Sequence, residues 1–157
     1  MNHPVRANYL IRGVDREKVF DALLDVPSFT EWGYGLRRAR VLDLGGLSDT
    51  AEVTPGSIFE FVLSAAGFTH RVESTVTRVE APHRLEWRYT GGAVGTGGWL
   101  LEEEGPLVRM TLYTDYEVNP AWLNRIAHRP FFRELTESLL RRSMRRFEER
   151  LTDVRLP

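Results

Sequence analysis

The sequence has 157 residues, a formal net charge of −1 and no cysteine. This length suits a single domain over residues 1–157, and 42% hydrophobic and 11% aromatic residues exclude a disordered chain. No apolar run approaches the ~18 residues of a membrane-spanning helix, and Met1–Arg6 carries no apolar segment of a secretory signal. Because disulfides and thiolate chemistry are also excluded, we expect a cytoplasmic protein without an integral membrane segment.

The first part of the chain predicts a strand followed by two short helices. Val5–Arg12 has the character of a strand. Apolar residues recur at helical spacing over Asp15–Asp25, which predicts an amphipathic helix that begins at a capping aspartate and ends before Pro27. Ser28 is placed to cap a second short helix, which runs to Trp32.

Six further strands are predicted, and most of the connections between them are tight turns. Their predicted ranges are Leu36–Leu44, Ile58–Ser64, Phe68–Glu80, Leu85–Thr90, Trp99–Glu103 and Val108–Val118. A polar loop is expected at Gly45–Thr54 and a glycine-rich connection at Gly91–Gly98. Because consecutive strands joined by tight turns pair with each other, these segments predict an antiparallel sheet.

The C-terminal region predicts two helices. Asn119-Pro120 is typical of a helix start, and Pro130 predicts a break near His128–Arg129. From Pro130 to Leu151, apolar and charged residues each occupy about half of a helical wheel, which predicts one long amphipathic helix. Its arginines alternate with glutamates, so a solvated face is favoured and no nucleic-acid partner is expected.

These elements define an α+β fold class. The prediction is a seven-stranded, curved antiparallel sheet wrapped around one long C-terminal helix, with two short helices after the first strand.

This order and several local sequences resemble the START-like (SRPBCC, helix-grip) superfamily, and within it the bacterial polyketide cyclase/dehydrase and lipid-transport-like proteins. Asp15–Asp25 is similar to the family's first helix, Phe29–Trp32 to its second, and Thr77–Tyr89 to the turn after its fourth strand. The resemblance implies a cavity between sheet and long helix. Members bind lipids, sterols, plant hormones or polyketides, cyclise or dehydrate polyketides, help load quinones or activate a chaperone ATPase, so membership selects no single function.

Strand parity and the apolar face of the long helix predict the wall of this cavity. The predicted ligand-binding residues are Phe59, Phe61, Leu63, His70, Val72, Trp87, Tyr89, Met110, Leu112, Thr114 and Tyr116 from the sheet, and Phe132, Thr136, Leu139, Leu140, Ser143 and Phe147 from the helix. Such a wall suits an apolar or aromatic ligand held by one or two hydrogen bonds. The alternative is a solid core that these side chains fill.

Thr136 and Ser143 interrupt the apolar face of the helix. Each hydroxyl either bonds a carbonyl one turn back or faces the cavity.

His70 is the one residue on the predicted inner face that exchanges a proton near neutral pH. Together with Tyr89 or Tyr116 it would remove a carbon-bound proton and donate to the resulting enolate. A one-residue slip in register would instead turn His70 outward and Arg71 inward.

No cofactor is expected. The stretch Gly91–Gly98 lacks the lysine and Ser/Thr of a Walker loop and precedes a strand, so we interpret it as a flexible hairpin at the cavity mouth. The four histidines show no metal-ligand spacing, so no metal is expected: His3, His70, His83 and His128.

Three functions stay open. The leading hypothesis is a carrier or sensor of a small hydrophobic molecule, of lipid, polyketide or aromatic type. The second is an enzyme of the polyketide cyclase/dehydratase type, which would use His70. The third is a protein-interaction module in which an exposed Trp99 and Trp122 anchor a partner or a homodimer.

Overall fold

The computed structural model describes residues 3–42, 52–65, 67–119, 121–127 and 129–152. In chain order its elements are β1 (His3–Arg12), α1 (Arg16–Leu24), a 3₁₀ helix (Val26–Glu31), β2 (Leu36–Leu42), β3 (Ile58–Ala65), β4 (Phe68–Glu80), β5 (Arg84–Gly91), β6 (Ala93–Glu104), β7 (Leu107–Val118), α2 (Ala121–Ala127) and α3 (Pro130–Thr152). The loop predicted at Gly45–Thr54 and the predicted end of β2 at Leu44 lie largely outside the described residues.

The strands form one seven-stranded antiparallel sheet in the order β1-β7-β6-β5-β4-β3-β2. Consecutive strands from β2 to β7 are neighbours, as the tight turns predict, and β1 joins the far edge beside β7. The predicted α+β helix-grip fold is therefore confirmed. Within the described part of the chain, no helix is both long and apolar enough to cross a membrane.

The first helix follows the prediction, whereas the second begins differently. Asp15 caps α1, because its carboxylate accepts a hydrogen bond from the Lys18 backbone N–H at 2.9 Å. The next helix is a 3₁₀ helix that already begins at Val26. Pro27 lies in its first turn, where its missing N–H leaves no hydrogen bond unmade. The predicted cap at Ser28 is therefore wrong, and its hydroxyl instead donates to the Asp25 carbonyl at 2.6 Å.

The prediction of a flexible hairpin at Gly91–Gly98 is wrong. Only Gly92, at φ +76°, turns the chain, and the rest of the stretch belongs to β5 and to β6, which lies between β5 and β7. The glycines remove side chains where neighbouring strands fill the space. A Cβ on Gly98 would collide with the Tyr113 ring and hydroxyl.

The long helix follows the predicted break and is fixed to the sheet near its C-terminal end. α2 ends at Ala127 and α3 begins at Pro130, as expected from the proline. Phe147 is 1% exposed, and its ring centroid lies 4.8 Å from that of Trp32. The Glu148 carboxylate accepts hydrogen bonds from the Tyr9 hydroxyl at 2.9 Å and the Arg12 backbone N–H at 3.0 Å. This end of α3 is thus held by both packing and hydrogen bonds.

The two tryptophans proposed as exposed anchors lie in different environments. Trp99 is 6% exposed and belongs to the core, so the prediction that it is exposed is wrong. Trp122 is 49% exposed, and its ring lies 6.1 Å from that of Phe68. The interaction hypothesis therefore depends on Trp122 and stays a prediction, as does the homodimer.

Candidate functional site

A cavity of about 410 Å³ lies between the inner face of the sheet and α3. This volume falls in the range of sites that hold small organic ligands. Tyr34 and Leu63 line the cavity and are 43% and 41% exposed, so it opens to solvent beside them. Leu85 and Met144 line it as well and are each 1% exposed, so the opposite end is closed. The solid-core alternative does not hold along this part of the sheet.

Most residues of the predicted wall lie around this cavity. They are Phe59, Phe61, Leu63, His70, Val72, Trp87, Tyr89, Leu112, Thr114, Tyr116, Thr136, Leu139, Leu140 and Ser143. Met110 and Phe147 are placed differently: at 0% and 1% exposure they belong to the closed core and do not line the cavity. The side chain of Phe132 lies outside the described residues. That these residues bind a ligand stays a prediction.

Sequence reasoning missed one whole side of the wall. The 3₁₀ helix and the segment after it contribute Phe29, Trp32, Gly33, Tyr34, Gly35 and Leu36, and further lining residues are Leu23, Ser64, Ser74, Leu85, Ala93, Trp99, Val118 and Met144. Strand parity already places Ser74 and Leu85 on the inner face. The Gly33–Gly35 segment carried no such signal, because its position depends on long-range contacts.

Ser143 attaches that segment to α3. Its hydroxyl donates to the Leu139 carbonyl at 2.7 Å and accepts from the Tyr34 backbone N–H at 2.9 Å. Both alternatives considered for this serine therefore apply, since it bonds one turn back and also lines the cavity. Gly35, at φ +79°, supplies the left-handed conformation that lets the chain continue into β2.

His70 lies in the wall, which excludes the register slip. It pairs with Leu63 across β3 and β4, whereas Arg71 is on the outer face and its Nε donates to Glu60 at 2.6 Å. The His70 Nε2 is 2.7 Å from the Gly92 carbonyl oxygen. Because a carbonyl only accepts, Nε2 carries the proton in this hydrogen bond. Any proton that His70 takes from a substrate would therefore have to bind Nδ1.

Tyr89 is the centre of a hydrogen-bonded group in the wall. Its hydroxyl lies 2.6 Å from the Thr114 hydroxyl, which donates to the Thr96 carbonyl at 3.3 Å. Since the Thr114 proton is used in that bond, the Tyr89 hydroxyl is the donor between the two. Burial raises the pKa of Tyr89, although its hydrogen bonds oppose the shift, so the phenol is neutral near physiological pH.

The wall is uncharged where the structure describes it. None of its described residues is Asp, Glu, Lys or Arg, and His70 is its only imidazole. Elsewhere, too, the described residues contain no group of three or more His, Asp or Glu side chains that could hold a metal ion. Burying an unpaired charge is costly, so such a wall favours a neutral, largely apolar guest.

A curved antiparallel sheet that closes over a long C-terminal helix, with an apolar cavity between them, defines a START-like helix-grip protein. The chain belongs to the polyketide cyclase / dehydrase and lipid transport family, whose sequence profile matches residues 10–153. This confirms the family that the sequence resembles. A comparison with curated proteins finds no match.

Solved structures share the fold at low sequence identity. A protein of Thermus thermophilus is 19% identical, with 95% of this chain and 97% of that chain covered, at a TM-score of 0.75. A START superfamily protein from Mycobacterium smegmatis is 14% identical, with 98% and 99% covered, at 0.71. The Zhui aromatase/cyclase from Streptomyces sp. R1128 is 12% identical, with 96% and 92% covered, at 0.67. At these identities the likeness shows the fold alone.

Proposed function

We propose that this protein binds one small hydrophobic molecule, of lipid, polyketide or aromatic type, and acts as its carrier or sensor. The observation that carries the proposal is the cavity of about 410 Å³ with an apolar, aromatic and uncharged described wall. We also propose a cytoplasmic site of action, as the sequence predicts, and fractionation of the host cell tests it.

A carrier or sensor is favoured over an enzyme because the wall offers few groups for proton transfer. The Tyr89 phenol is neutral and donates to Thr114, and one nitrogen of His70 is committed to the Gly92 carbonyl. The remaining lining is mainly aliphatic and aromatic. Such surfaces hold a guest by burial and shape and do not activate it.

The test is to identify and measure a guest. Native mass spectrometry of protein purified from its own host should show a bound small molecule, and the melting temperature should rise across a panel of lipids and aromatic polyketides. At about 100 times the dissociation constant, binding adds about 2.7 kcal/mol, which corresponds to a rise of roughly 5–10 °C for a chain of this size. No bound mass and no shift across the panel would contradict the proposal.

A matched pair of variants shows whether the cavity is responsible. Leu139→Trp places a larger side chain in the lining and should abolish the ligand-induced shift. Leu10→Trp makes the same substitution at a position that is 38% exposed and outside the lining, and the shift should persist. Equal shifts in both variants would place the guest elsewhere.

The second candidate is catalysis of the cyclase/dehydratase type, which the position of His70 in the wall favours. In that reaction Nδ1 of His70 takes a carbon-bound proton, and Tyr116 or Tyr89 donates to the enolate. His70→Ala should abolish turnover of a polyketide substrate while the protein remains folded. His83→Ala, an exposed histidine outside the lining, is the control. Unchanged turnover in His70→Ala would remove this residue from the mechanism.

A further inference from the structure

Two polar atoms in the cavity wall are buried without a hydrogen-bond partner. They are Nε1 of Trp32, whose side chain is 5% exposed, and Oγ of Ser74, which is 1% exposed. Both residues line the cavity, and neither atom has a partner among the residues that the structure describes. A buried donor without a partner is costly, so native proteins rarely keep one without a reason.

Other polar side chains in the same wall have partners within the protein. The Ser143 hydroxyl bonds Leu139 and Tyr34, the Tyr89 and Thr114 hydroxyls bond each other, and Nε2 of His70 bonds Gly92. These bonds hold the wall together and leave few donors for a guest. The indole N–H of Trp32 and the hydroxyl of Ser74 therefore differ from the other wall groups because they are free to bind the guest.

Rigid parts of the fold hold both groups in place. The Trp32 ring lies between Phe29 and Phe147, with centroid distances of 4.7 and 4.8 Å. Ser74 lies within β4 and is paired with Phe59 of β3 and Tyr89 of β5. Neither group can turn toward another partner without disturbing this packing, so each is preorganised to donate into the cavity.

We propose that the guest is a neutral hydrophobic molecule with an acceptor oxygen, such as a ketone, quinone or ester carbonyl, which binds Trp32 or Ser74. An indole N–H only donates and a hydroxyl donates as readily as it accepts, so both atoms match a carbonyl. A carboxylate would bring a charge that no described lining residue neutralises. This inference rests on the proposed function and adds the chemical class of the ligand.

The test uses two aromatic probes of nearly equal shape and a charged analogue. 2-Acetylnaphthalene carries a carbonyl oxygen, and 2-isopropenylnaphthalene replaces that oxygen by a CH₂ group. By isothermal titration calorimetry the ketone should bind the wild-type chain about tenfold more tightly than the hydrocarbon. 2-Naphthoate, which places a charge at the same position, should bind more weakly than the ketone. Tighter binding of 2-naphthoate would overturn the neutral class.

Variants assign the preference to the two donors. Trp32→Phe and Ser74→Ala each remove one donor and keep an apolar side chain, and at least one of them should lower the ketone preference about three- to tenfold. Trp122→Phe and Ser28→Ala make the same substitutions outside the lining, and each should keep the preference. Urea unfolding of each variant establishes that the chain is folded before its affinities are compared.

The outcomes separate this inference from the function on which it rests. Equal binding of ketone and hydrocarbon by the wild-type chain, or a preference that survives both cavity variants, would overturn the donor assignment and leave the proposed function standing. No binding of any probe, together with a negative lipid and polyketide panel, would overturn both.

Discussion

A single carboxylate on the outer face of the sheet shows how the fold accommodates a buried charge. Glu60 of β3 is 1% exposed, and its two oxygens accept hydrogen bonds from Arg40 Nε at 2.7 Å and Arg71 Nε at 2.6 Å. The two arginine side chains are themselves about half exposed, so they cover the carboxylate and remain in contact with water. The hydrogen bond from Arg40 lowers the pKa of Glu60, burial opposes the shift, and Arg71 adds to the lowering.

This arrangement makes part of the stability depend on pH. Because the folded-state pKa of Glu60 lies below the usual 4.5, its contribution is present above that value and is lost as pH falls through the lowered pKa. We expect Glu60→Gln to reduce the free energy of unfolding by about 1 kcal/mol near neutral pH, after allowance for screening of the half-exposed arginines. The difference between wild type and variant should shrink toward about pH 3 in urea unfolding experiments.

Glu104→Gln serves as the matched control for this measurement. Glu104 also pairs with an arginine, Arg109, at 2.6 Å, but its side chain is 44% exposed. Its removal should therefore change stability less than removal of Glu60. A difference for Glu60→Gln that does not vary with pH would show that the lost interaction is packing and not the charge.

At the scale of whole elements, the sequence predicts which strands pair better than it predicts what glycines do. The turns at Pro55-Gly56 and Gly105-Pro106 fix consecutive antiparallel pairs, and the period of two along β3, β4 and β7 fixes their inner faces. By contrast, the glycines of β6 were interpreted as a hairpin because glycine alone signals a turn. Their role depends on side chains of β5 and β7, which cannot be inferred before the register is known.

Gly98 provides the test of this explanation, because its backbone does not require glycine. A Cβ there would lie 2.9 Å from the Leu85 carbonyl oxygen and closer still to the Tyr113 ring and hydroxyl. We expect Gly98→Ala to destabilise the protein by about 1–3 kcal/mol through overpacking, measured by urea unfolding.

Combination with Tyr113→Ala identifies the cause. In that background the Gly98→Ala cost should fall to about 1 kcal/mol or less, since the ring that collides is absent. An unchanged cost in the double variant would point to the Leu85 carbonyl instead of the tyrosine.

For the whole molecule, stability and binding lie at different ends of the layer between sheet and α3. Toward the C-terminal end of α3, Met144 and Phe147 are each 1% exposed, and Glu148 bonds β1. Toward its N-terminal end, Thr136 and Leu139 face the cavity and are half-buried. Parity and helical periodicity predicted the face on which these residues lie but not their depth, which depends on how α1 and the 3₁₀ helix fill one end.

Two truncations on α3 should therefore have opposite effects. Phe147→Ala removes a ring packed against Trp32 and should cost about 3–5 kcal/mol in unfolding free energy while the folded fraction keeps its ligand affinity. Leu139→Ala removes a side chain that already borders the cavity, so it should cost about 1 kcal/mol and change the affinity for 2-acetylnaphthalene. Urea unfolding and calorimetry measure the two quantities separately. Equal stability losses at both positions would mean that the layer is packed uniformly, and the division between a stabilising end and a binding end would then be wrong.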